Sequence, residues 1–406
     1  MIKRHKILFI SNRPPYPQNQ GDKIRANQFL EFFNGKHNLD ILVLCENQYE
    51  YRNFLKMKLK FPHSQAVYTN PIISKVNFFR ALFSPKIPSI VTYFYSRKFK
   101  RVIFETTRKK RYDFIFCHSL VTSQYLLDKK ITTKVIFDIC DIDSNRYNQY
   151  IPYVGRWRAF WLKREVKKME DFQNLAFSRF YRIIVSTPKE KELVPEEYQQ
   201  KTRVVSIYAN LVSKRGSKRG SKRNAPLRVP RMRDAAICIF VGTMKYFPNI
   251  VGVIWFCKKV LPYIQKEIPK VKFYIVGRKP AQSIQKLTSK NVIITGEVER
   301  VSRYYQPASV AVVPLPIAQG VQTKVLESFS FGAAVVATKK VARGLAGVKD
   351  GRELLIADTP LQFAQKTLEL LRNAEKRKKL SKNARAFLKK GYTKEIVENQ
   401  IKKSFL

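Results

Sequence analysis

A segment that starts near residue 320 has the residue types of an anion-binding helix start. Residues 321–332, VQTKVLESFSFG, predict a helix, because Val325 and Phe329 have the spacing that packs one helix face against a sheet. Gly332 would end this helix, since glycine readily adopts the left-handed conformation of a carboxyl cap. Backbone N–H groups at a helix start bind anions, and the residues at this start are Gly320, Val321 and Gln322.

Two charged side chains follow on the same helix. Lys324 lies one turn inside and would offset negative charge on a bound diphosphate. Glu327 lies six residues beyond Val321, which is about 9 Å along a helix axis. That distance suits the separation between a diphosphate and its ribose, and a carboxylate can accept hydrogen bonds from both ribose hydroxyls. We therefore predict a nucleotide site in which Lys324 and Glu327 take part.

Three polar residues in the first half of the chain follow apolar runs that predict buried strands. His118 closes the run 113–118, and Asp141 and Asp143 follow the run 134–140. Open α/β sheets bind ligands at the carboxyl ends of their strands. His118 is therefore a candidate to orient a substrate, or else a structural histidine. The two aspartates are candidate acceptor-binding carboxylates, or else helix caps.

The segment 12–25 predicts a glycine loop that leads from the first strand into the first helix. Gly21 would either let the backbone approach a diphosphate and an acceptor, or only supply a turn. Arg25 is a candidate phosphate ligand on the acceptor side. Asp22 would favour the positive end of the helix dipole with or without a catalytic role.

Short apolar runs between helical segments predict the strands that position these residues. The runs are almost continuously apolar, which is typical of parallel strands covered by helices on both faces. The first series comprises 6–11, 39–45, 113–118, 134–140, 182–186 and 204–208. The second series comprises 236–241, 272–276, 292–295, 310–314, 333–337 and 354–357. We therefore predict an α/β protein with two doubly wound Rossmann-like domains that face each other across a cleft.

The predicted domains are residues 1–212 and 234–390. Between them, residues 213–233 hold nine basic residues, no acidic residue and a repeated GSKR step. Such a segment predicts a solvated linker, or alternatively a phosphate-binding tether. Residues 391–406 are predicted to form a final helix that packs back toward the first domain.

The charge of the chain limits the classes of partner. The 406 residues include 78 Lys and Arg but only 30 Asp and Glu, a net charge of +48. This charge favours anionic lipids, nucleic acid or phosphorylated substrates. The sequence has no signature of a groove-entering helix, a zinc module or a stacking platform, so no specific nucleic acid is expected.

Three features indicate a cytoplasmic protein. The apolar stretches are far shorter than the roughly 20 residues that span a bilayer, and the basic amino terminus lacks a signal cleavage site. The five cysteines are scattered without a CxxC pair, and there are only four histidines. We therefore expect reduced thiols and no metal site.

Two stretches of the first domain combine aromatic and basic residues. They are 77–101, NFFRALFSPKIPSIVTYFYSRKFKR, and 153–168, which includes Trp157, Phe160 and Trp161. The aromatic residues either pack in the core or dock on an anionic leaflet. The second alternative predicts a peripheral protein on the inner face of the plasma membrane.

Four motifs, in order along nearly the whole chain, resemble those of the family 4 retaining glycosyltransferases with the GT-B fold. FISNRPPYPQNQGDKIRANQF, residues 9–29, resembles the opening glycine loop, and CDIDSNRY, residues 140–147, a DVDS-type segment. FVGTMKYFPNI, residues 240–250, resembles an FxGxMxYxPN signature. GVQTKVLESFSFGAAVVAT, residues 320–338, resembles the branch associated with bacterial exopolysaccharide synthesis.

The resemblance implies roles for particular residues. The family has two glutamates separated by seven residues, of which the first contacts the donor sugar and the second the ribose. Gln319 and Glu327 occupy these positions here, so the first acid is replaced by an amide. His118 would meet the donor sugar, and Gly242 and Lys245 would contact the donor.

The resulting prediction is a metal-independent, retaining hexosyltransferase without a cofactor. It would move a sugar from a UDP- or GDP-linked donor to a lipid-linked or polysaccharide acceptor at an anionic membrane surface. His118, Gln319 and Glu327 would form the catalytic group. The alternatives are a catalytically impaired sugar-nucleotide-binding module, which the Gln319 replacement favours, and a nucleic-acid-binding protein, which only the charge favours.

Overall fold

The computed structural model describes residues 4–84, 86–128, 130–209, 236–305 and 309–405. The chain forms two compact units, each built around one parallel sheet. The first unit comprises Met1–Ile207 and Glu398–Leu406, and the second comprises Tyr208–Val397. The linker predicted at 213–233 lies outside the described residues.

The first unit contains a seven-stranded parallel sheet in the order β3-β2-β1-β4-β5-β6-β7. Its strands are β1 (Lys6–Ser11), β2 (Asn38–Cys45), β3 (Ser64–Tyr68), β4 (Phe114–His118), β5 (Lys134–Cys140), β6 (Arg182–Val185) and β7 (Thr202–Val204). The central strands are buried along almost their whole length, as expected for strands with helices on both faces.

The helices of the first unit follow its strands in sequence. They are α1 (Gly21–Lys36), α2 (Gln48–Lys60), α3 (Pro71–Leu82), α4 (Ser89–Tyr93), α5 (Arg97–Lys109), α6 (Leu120–Ser123), α7 (Asp143–Asn148), α8 (Arg156–Arg179), α9 (Pro188–Lys191) and α10 (Glu196–Gln199), with a 3₁₀ turn at Ile151–Tyr153. Aromatic contacts join α1 to the sheet. Phe116 of β4 lies 4.6 Å from Phe29 and 5.3 Å from Phe9, ring centroid to ring centroid.

The second unit contains a six-stranded parallel sheet in the order β10-β9-β8-β11-β12-β13. Its strands are β8 (Ile237–Val241), β9 (Lys272–Val276), β10 (Val292–Gly296), β11 (Ser309–Val313), β12 (Ala334–Ala337) and β13 (Leu355–Ile356). Its helices are α11 (Phe247–Trp255), α12 (Leu261–Glu267), α13 (Gln282–Gln285), α14 (Thr323–Phe331), α15 (Lys339–Arg343), α16 (Pro360–Arg372) and α17 (Ala374–Gly391), with a π-helical turn at Phe256–Val260 and a 3₁₀ turn at Val301–Tyr304.

The last helix, α18 (Lys394–Phe405), begins in the second unit and ends in the first. Its first-unit residues make specific contacts there. The backbone N–H of Ser206 donates to Gln400 Oε1 at 2.8 Å, and Arg182 donates to the carbonyl of Ser404 at 2.9 Å. The Phe405 ring lies 5.2 Å from that of Phe33. The carboxyl-terminal residues are thus part of the first unit's core.

The prediction of two doubly wound sheets is confirmed, and the differences from it are local. Strand β3 was not predicted because Gln65 and Tyr68 are exposed, so its sequence lacks a continuous apolar run. Strand β7 ends at Val204, where the predicted strand begins, and it pairs with β6. Among the described residues, every helix is too short or too polar to cross a membrane.

Candidate functional site

Each sheet has one switch point, which lies between two adjacent strands whose onward connections run toward opposite edges of the sheet. In the first sheet it lies between β1 and β4, and in the second between β8 and β11. Ligands of open α/β sheets bind at the carboxyl edge beside such a point. His118 ends β4, and Gly242 follows β8, so the sequence-predicted residues lie at these edges.

Glycine turns make room at the carboxyl edge of the second sheet. Gly277 has φ +150°, and a Cβ there would lie 1.7 Å from the carbonyl oxygen of Gly242. A Cβ on Gly242 would lie 2.7 Å from Asn249 Nδ2 and 3.6 Å from Lys324 Nζ. Gly277 therefore requires glycine for close backbone approach, and a side chain at Gly242 would displace the buried Asn249 amide. The glycine of the segment FVGTMKYFPNI thus has a steric reason.

A buried asparagine holds the lysine of α14 beside this turn. Asn249 is 3% exposed, and its amide donates to the carbonyl of Thr243 at 2.9 Å. The other end of the amide, Oδ1, accepts a hydrogen bond from Lys324 Nζ at 2.5 Å. The ammonium also lies 4.7 Å from the centroid of the Phe240 ring, a cation–π distance. Lys324 is thus fixed at the switch point.

Burial changes the protonation of the two charged residues on α14. Desolvation lowers the pKa of Lys324 to about 7, although the Glu327 charge acts in the opposite direction. Desolvation also raises the pKa of Glu327 to about 7, although Lys324 opposes this shift. Perturbed pKa values of this kind are common at functional sites. A bound diphosphate would restore the charge on Lys324.

The N-cap residue of α14 makes no side-chain hydrogen bond to the first N–H groups of the helix. The helix begins at Thr323 and not at Val321, because Gln322 is an extended N-cap residue. The Gln322 side chain does not cap the helix but donates to the carbonyl of Gln319 at 2.8 Å. Gly332 ends the helix in the left-handed conformation, as predicted.

Residues at the two ends of α15 contact the loop before α14. Gly320 has φ +63°, and a Cβ on Gly344 would lie 2.2 Å from the Gly320 carbonyl oxygen. The Thr338 hydroxyl donates to the carbonyl of Leu315 at 2.7 Å. These contacts fix the backbone that presents Gln319 and Gly320. Lys245, on the β8–α11 loop, is exposed.

His118 of the first unit belongs to a buried charged network. Its Nδ1 lies 2.8 Å from Asp138 Oδ2, and Arg25 donates to Asp138 Oδ1 from Nε at 2.8 Å and from Nη2 at 2.7 Å. Burial alone would raise the pKa of Asp138, but Arg25 and His118 outweigh it and lower that pKa. The Nδ1 side of the His118 ring therefore faces the ionised Asp138 at hydrogen-bond distance, and the carboxylate fixes the orientation of the ring.

The position of Arg25 corrects its predicted role. Arg25 is 1% exposed, and its third hydrogen bond, at 2.6 Å, goes to the backbone carbonyl of Val205. With its guanidinium bonded in this way to Asp138 and Val205, it cannot contact an acceptor. Arg25 is therefore a positioning residue that acts on His118 through Asp138. The sequence placed it near a helix start but could not show which direction the side chain takes.

Strained backbone surrounds this network. Ser119 has φ 77° and Cys140 has φ 64°, and both are non-glycine residues in the left-handed region. Such strain costs about 1–3 kcal/mol and concentrates at functional sites. The Ser119 N–H donates to the Asp138 carbonyl at 2.8 Å, so the strained turn links β4 to β5.

His118, Asp138 and Cys140 offer ligand atoms within 4.8 Å of one another. Burial raises the pKa of the Cys140 thiol well above its ordinary value, which disfavours the thiolate a metal requires. Arg25 also places a positive charge against Asp138. The donor set therefore fits a divalent ion poorly.

The two predicted acceptor aspartates flank one arginine. Arg146 lies 3.5 Å from Asp141 Oδ2 and donates to Asp143 at the start of α7. Burial raises the pKa of both aspartates. Neighbouring Glu190 is 2% exposed, and burial together with Asp141 raises its pKa to about 8. Glu190 is therefore mostly protonated at neutral pH, and it lies beside aspartates whose pKa values burial also raises.

Sequence reasoning missed Asp138, Asn249 and Glu190. Asp138 had a readable signal, because a lone acid inside the apolar run VIFDIC must find a buried cation. Asn249 lay within a recognised motif but had no role assigned. Glu190 had no signal, since its burial depends on how α9 packs.

Comparison with known proteins shows what the chain is similar to. Residues 235–373 match the family model described as "Glycosyl transferases group 1". A 44.6 kDa protein in the cps region of Klebsiella pneumoniae is 23% identical over 417 residues, covering 98% of each chain.

Solved structures match the chain over nearly its full length. Anabaena Alr3699/HepE in complex with UDP and glucose has a TM-score of 0.68 at 12% identity, covering 99% of each chain. TarM has a TM-score of 0.67 at 11% identity, covering 100% of this chain and 99% of TarM. The lipopolysaccharide outer core galactosyltransferase WaaB has a TM-score of 0.58 at 12% identity, covering 98% of this chain and 99% of WaaB. The chain has the GT-B fold, and its second unit contains a region that matches the group 1 glycosyltransferases.

Proposed function

We propose that the protein is a glycosyltransferase that moves a sugar from a nucleotide-diphosphate donor to a carbohydrate acceptor. The observation that carries this proposal is the cluster of Gly242, Asn249, Lys324 and Glu327 at the switch point of the second sheet. It lies within the region that matches group 1 glycosyltransferases. Similar structures that bind UDP and UDP-glucose support a UDP-linked donor, with GDP as the alternative base.

The donor would bind with its diphosphate at the start of α14. The N–H groups near Gly320, Val321 and Gln322 would face the phosphates, and Lys324 would neutralise charge that develops on the leaving group. Glu327 would accept hydrogen bonds from the ribose. Lys245 would add a second cation from the loop after β8.

Catalysis would depend on position and charge, with retention of the anomeric configuration and no metal or other cofactor. We assign His118 to the donor sugar, because Asp138 fixes its ring through Nδ1. Gln319 would contact the same sugar from the loop before α14, and Gly21, the first residue of α1, would contribute backbone. Asp141 and Asp143 would bind acceptor hydroxyls.

The acceptor proposed is lipid-linked or polysaccharide. The similarity to a protein in the cps region supports a role in cell-surface or exopolysaccharide synthesis. Such a role would place the protein in the cytoplasm, at the inner face of the plasma membrane. No specific nucleic acid is part of the proposal.

A donor screen followed by a matched pair of variants tests this function. Thermal shift with UDP- and GDP-sugars identifies the donor, and transfer to membrane extracts measures turnover. Glu327→Ala should lower kcat/KM about 10- to 100-fold, because charge-assisted hydrogen bonds to ribose are lost. Glu299→Gln, which neutralises an exposed acid of the second unit, should leave it unchanged. Equal activity of Glu327→Ala and the native chain would reject the assignment.

The Gln319 replacement favours one second candidate, a sugar-nucleotide-binding module without transferase activity. Gln319→Glu distinguishes the two. If the protein is an active transferase, the variant should keep or raise activity. Donor binding without transfer, in both the native chain and the variant, would support the binding module instead. A severe loss of transfer on Gln319→Glu would show that the amide itself takes part.

A further inference from the structure

Helix α3 is packed with its apolar face outward. Its buried residues are Ser74 and Ala81, whereas Ile72, Val76 and Phe79 are exposed, with Ile72 70% and Phe79 61% accessible. Positions 72, 76 and 79 lie on one stripe of a helix, and Phe83, just beyond α3, continues that stripe at 76% exposure. A helix in water normally buries this face, so the inversion needs an explanation.

The first turns of α8 add aromatic side chains to the same surface. Trp157 is 84% exposed, Phe160 is 63% exposed and Trp161 is 36% exposed. The Trp161 ring contacts the Phe83 ring, with 6.4 Å between centroids. Because α8 buries its apolar residues only from Val166 onward, its amino-terminal half projects from the core. We call the following seven residues the aromatic patch: Ile72, Val76, Phe79, Phe83, Trp157, Phe160 and Trp161.

A buried ion pair fixes the geometry of the aromatic patch. Lys168 Nζ lies 2.6 Å from Glu165 Oε1 and donates at 2.8 Å to the carbonyl of Ala81 in the last turn of α3. Glu165 Oε2 accepts from the backbone N–H of Ser89, the first residue of α4, at 2.7 Å. One turn of α8 thus holds the end of α3 and the start of α4. The patch is a built surface and not a frayed segment.

The segments that form the aromatic patch carry only positive charge. Residues 71–88 and 153–164 contain no acidic residue. The cations of these two segments are Lys75, Arg80, Lys86, Arg156, Arg158, Lys163 and Arg164. Arg164 also lies 5.7 Å from the Trp161 ring centroid. Aromatic side chains on segments whose charges are all cations match the interface of an anionic leaflet, where rings enter the headgroup layer and cations meet lipid phosphates.

We propose that the aromatic patch is a membrane-docking surface that inserts into a bilayer containing anionic phospholipid. The inference goes beyond the proposed sugar transfer and does not depend on it. A protein partner is less suited, because it would have to present a strongly acidic rim to the seven cations that segments 71–88 and 153–164 carry without any acid. The occupant is therefore the leaflet, through its phosphates and the first carbons of its acyl chains.

Tryptophan fluorescence tests insertion apart from simple charge attraction. The chain has three tryptophans, so Trp255→Phe leaves only Trp157 and Trp161, both in the aromatic patch. Vesicles of phosphatidylglycerol and phosphatidylcholine with brominated acyl chains are then added. The fluorescence emission of Trp157 and Trp161 should shift to the blue and be quenched. Vesicle binding without a shift or quenching would overturn the proposal, since a +48 chain adheres to anionic vesicles by charge alone.

A charge-neutral variant provides the second readout. The quadruple variant Ile72→Ser, Val76→Ser, Phe79→Ser and Phe83→Ser leaves every charge in place. Its matched control changes four exposed apolar residues elsewhere, Leu59→Ser, Leu193→Ser, Tyr263→Ser and Leu361→Ser. In about 1 M salt, where the Debye length is about 3 Å, the patch variant should partition at least about tenfold more weakly than the control.

Two other results would contradict the proposal. Equal salt-resistant partitioning of the patch variant and its control would show that the patch does not insert. A concentration-dependent dimer without lipid, lost only in the patch variant, would identify the surface as a contact between two copies. Should the patch variant fail to fold, the quenching of Trp157 and Trp161 in the Trp255→Phe background still decides the question.

Discussion

Arg25, Asp138 and His118 show how one buried carboxylate can organise a site. Asp138 is fully buried between a guanidinium and an imidazole, so its charge is offset twice. The arrangement holds the His118 ring with Nδ1 against Asp138, and the carboxylate keeps the ring from rotating.

Removing the Asp138 charge should be costly. Asp138→Asn leaves Arg25 buried without a compensating anion, and we expect the free energy of unfolding to fall by about 3–5 kcal/mol in urea titrations. The double variant Arg25→Met/Asp138→Leu removes both charges and should regain much of that loss. In Asp138→Asn, the nitrogen-15 chemical shifts of the His118 ring should differ from those of the native protein, because Nδ1 has lost its carboxylate partner. A stable Asp138→Asn protein with native nitrogen-15 shifts would contradict this account.

Lys324 should take up a proton when a nucleotide binds. At pH 8, a lysine whose pKa burial has lowered to about 7 is mostly neutral, whereas Glu327, also near 7, is already mostly ionised. A bound diphosphate raises the pKa of Lys324, so we expect uptake of about one proton with UDP. Calorimetry in two buffers of different ionisation enthalpy measures it.

The matched variants for this experiment are Lys324→Met and Lys259→Met, the second at an exposed position. Uptake should vanish in Lys324→Met and persist in Lys259→Met. The same uptake in both variants would place the titrating group elsewhere.

At the scale of elements, three strand ends of the second sheet are joined by backbone contacts through glycine. The Gly242 N–H donates to the Val276 carbonyl, and the Gly277 N–H donates to the Gly296 carbonyl, each at 3.0 Å. The carboxyl ends of β8, β9 and β10 are therefore tied together, and the Gly242 end of this layer lies beside Lys324. Side chains there would push the turns apart and move the anion site.

Gly277→Ala should disrupt this layer. Its Cβ would overlap the Gly242 carbonyl oxygen, and its φ of +150° is strained for alanine, so we expect a loss of at least about 2 kcal/mol in stability. Gly296→Ala is the matched control, because it also has positive φ, +69°, but no atom within 4 Å. That variant should lose only about 1–2 kcal/mol. Equal thermal unfolding of the two variants would refute the close-approach argument.

At the scale of the whole molecule, the chain returns to its first unit after it has completed the second. Helix α18 delivers Phe405 to a cluster in which its ring lies 5.7 Å from that of Phe114 and 5.2 Å from that of Phe33. Lys36 adds an ion pair with Glu398 at 2.7 Å. The stability of the first unit therefore depends on residues that lie almost 200 positions beyond its last strand.

Truncating this contact should weaken the first unit. Phe405→Ala removes an aromatic side chain from the Phe33–Phe114 cluster, and we expect a loss of about 2 kcal/mol. Lys402→Ala, an exposed residue of the same helix, should lose less than about 0.5 kcal/mol. Hydrogen exchange at the amides of β1 and β4 locates the effect. Unchanged exchange there in Phe405→Ala would show that the helix contributes nothing to the first unit.

The sequence alone determined the two parallel sheets, most strand positions and the helix α14 that Gly332 ends, although the predicted start lay two residues too early. Continuous apolar runs and a carboxyl-cap glycine are local signals, because burial on both faces and backbone handedness act on neighbouring residues. The order of motifs also placed His118, Gly242 and Lys324 at strand ends or helix starts, since chain direction fixes which end of a parallel strand leads into a loop.

Tertiary structure alone decided what those side chains contact. Arg25 turns inward to Asp138, Asn249 fixes Lys324, and α3 turns its apolar stripe outward, although periodicity would have buried it. Each outcome depends on residues far apart in sequence, such as Lys168 bound to the end of α3. A hydrophobic period shows that a helix has an apolar face, but only packing decides which face is covered.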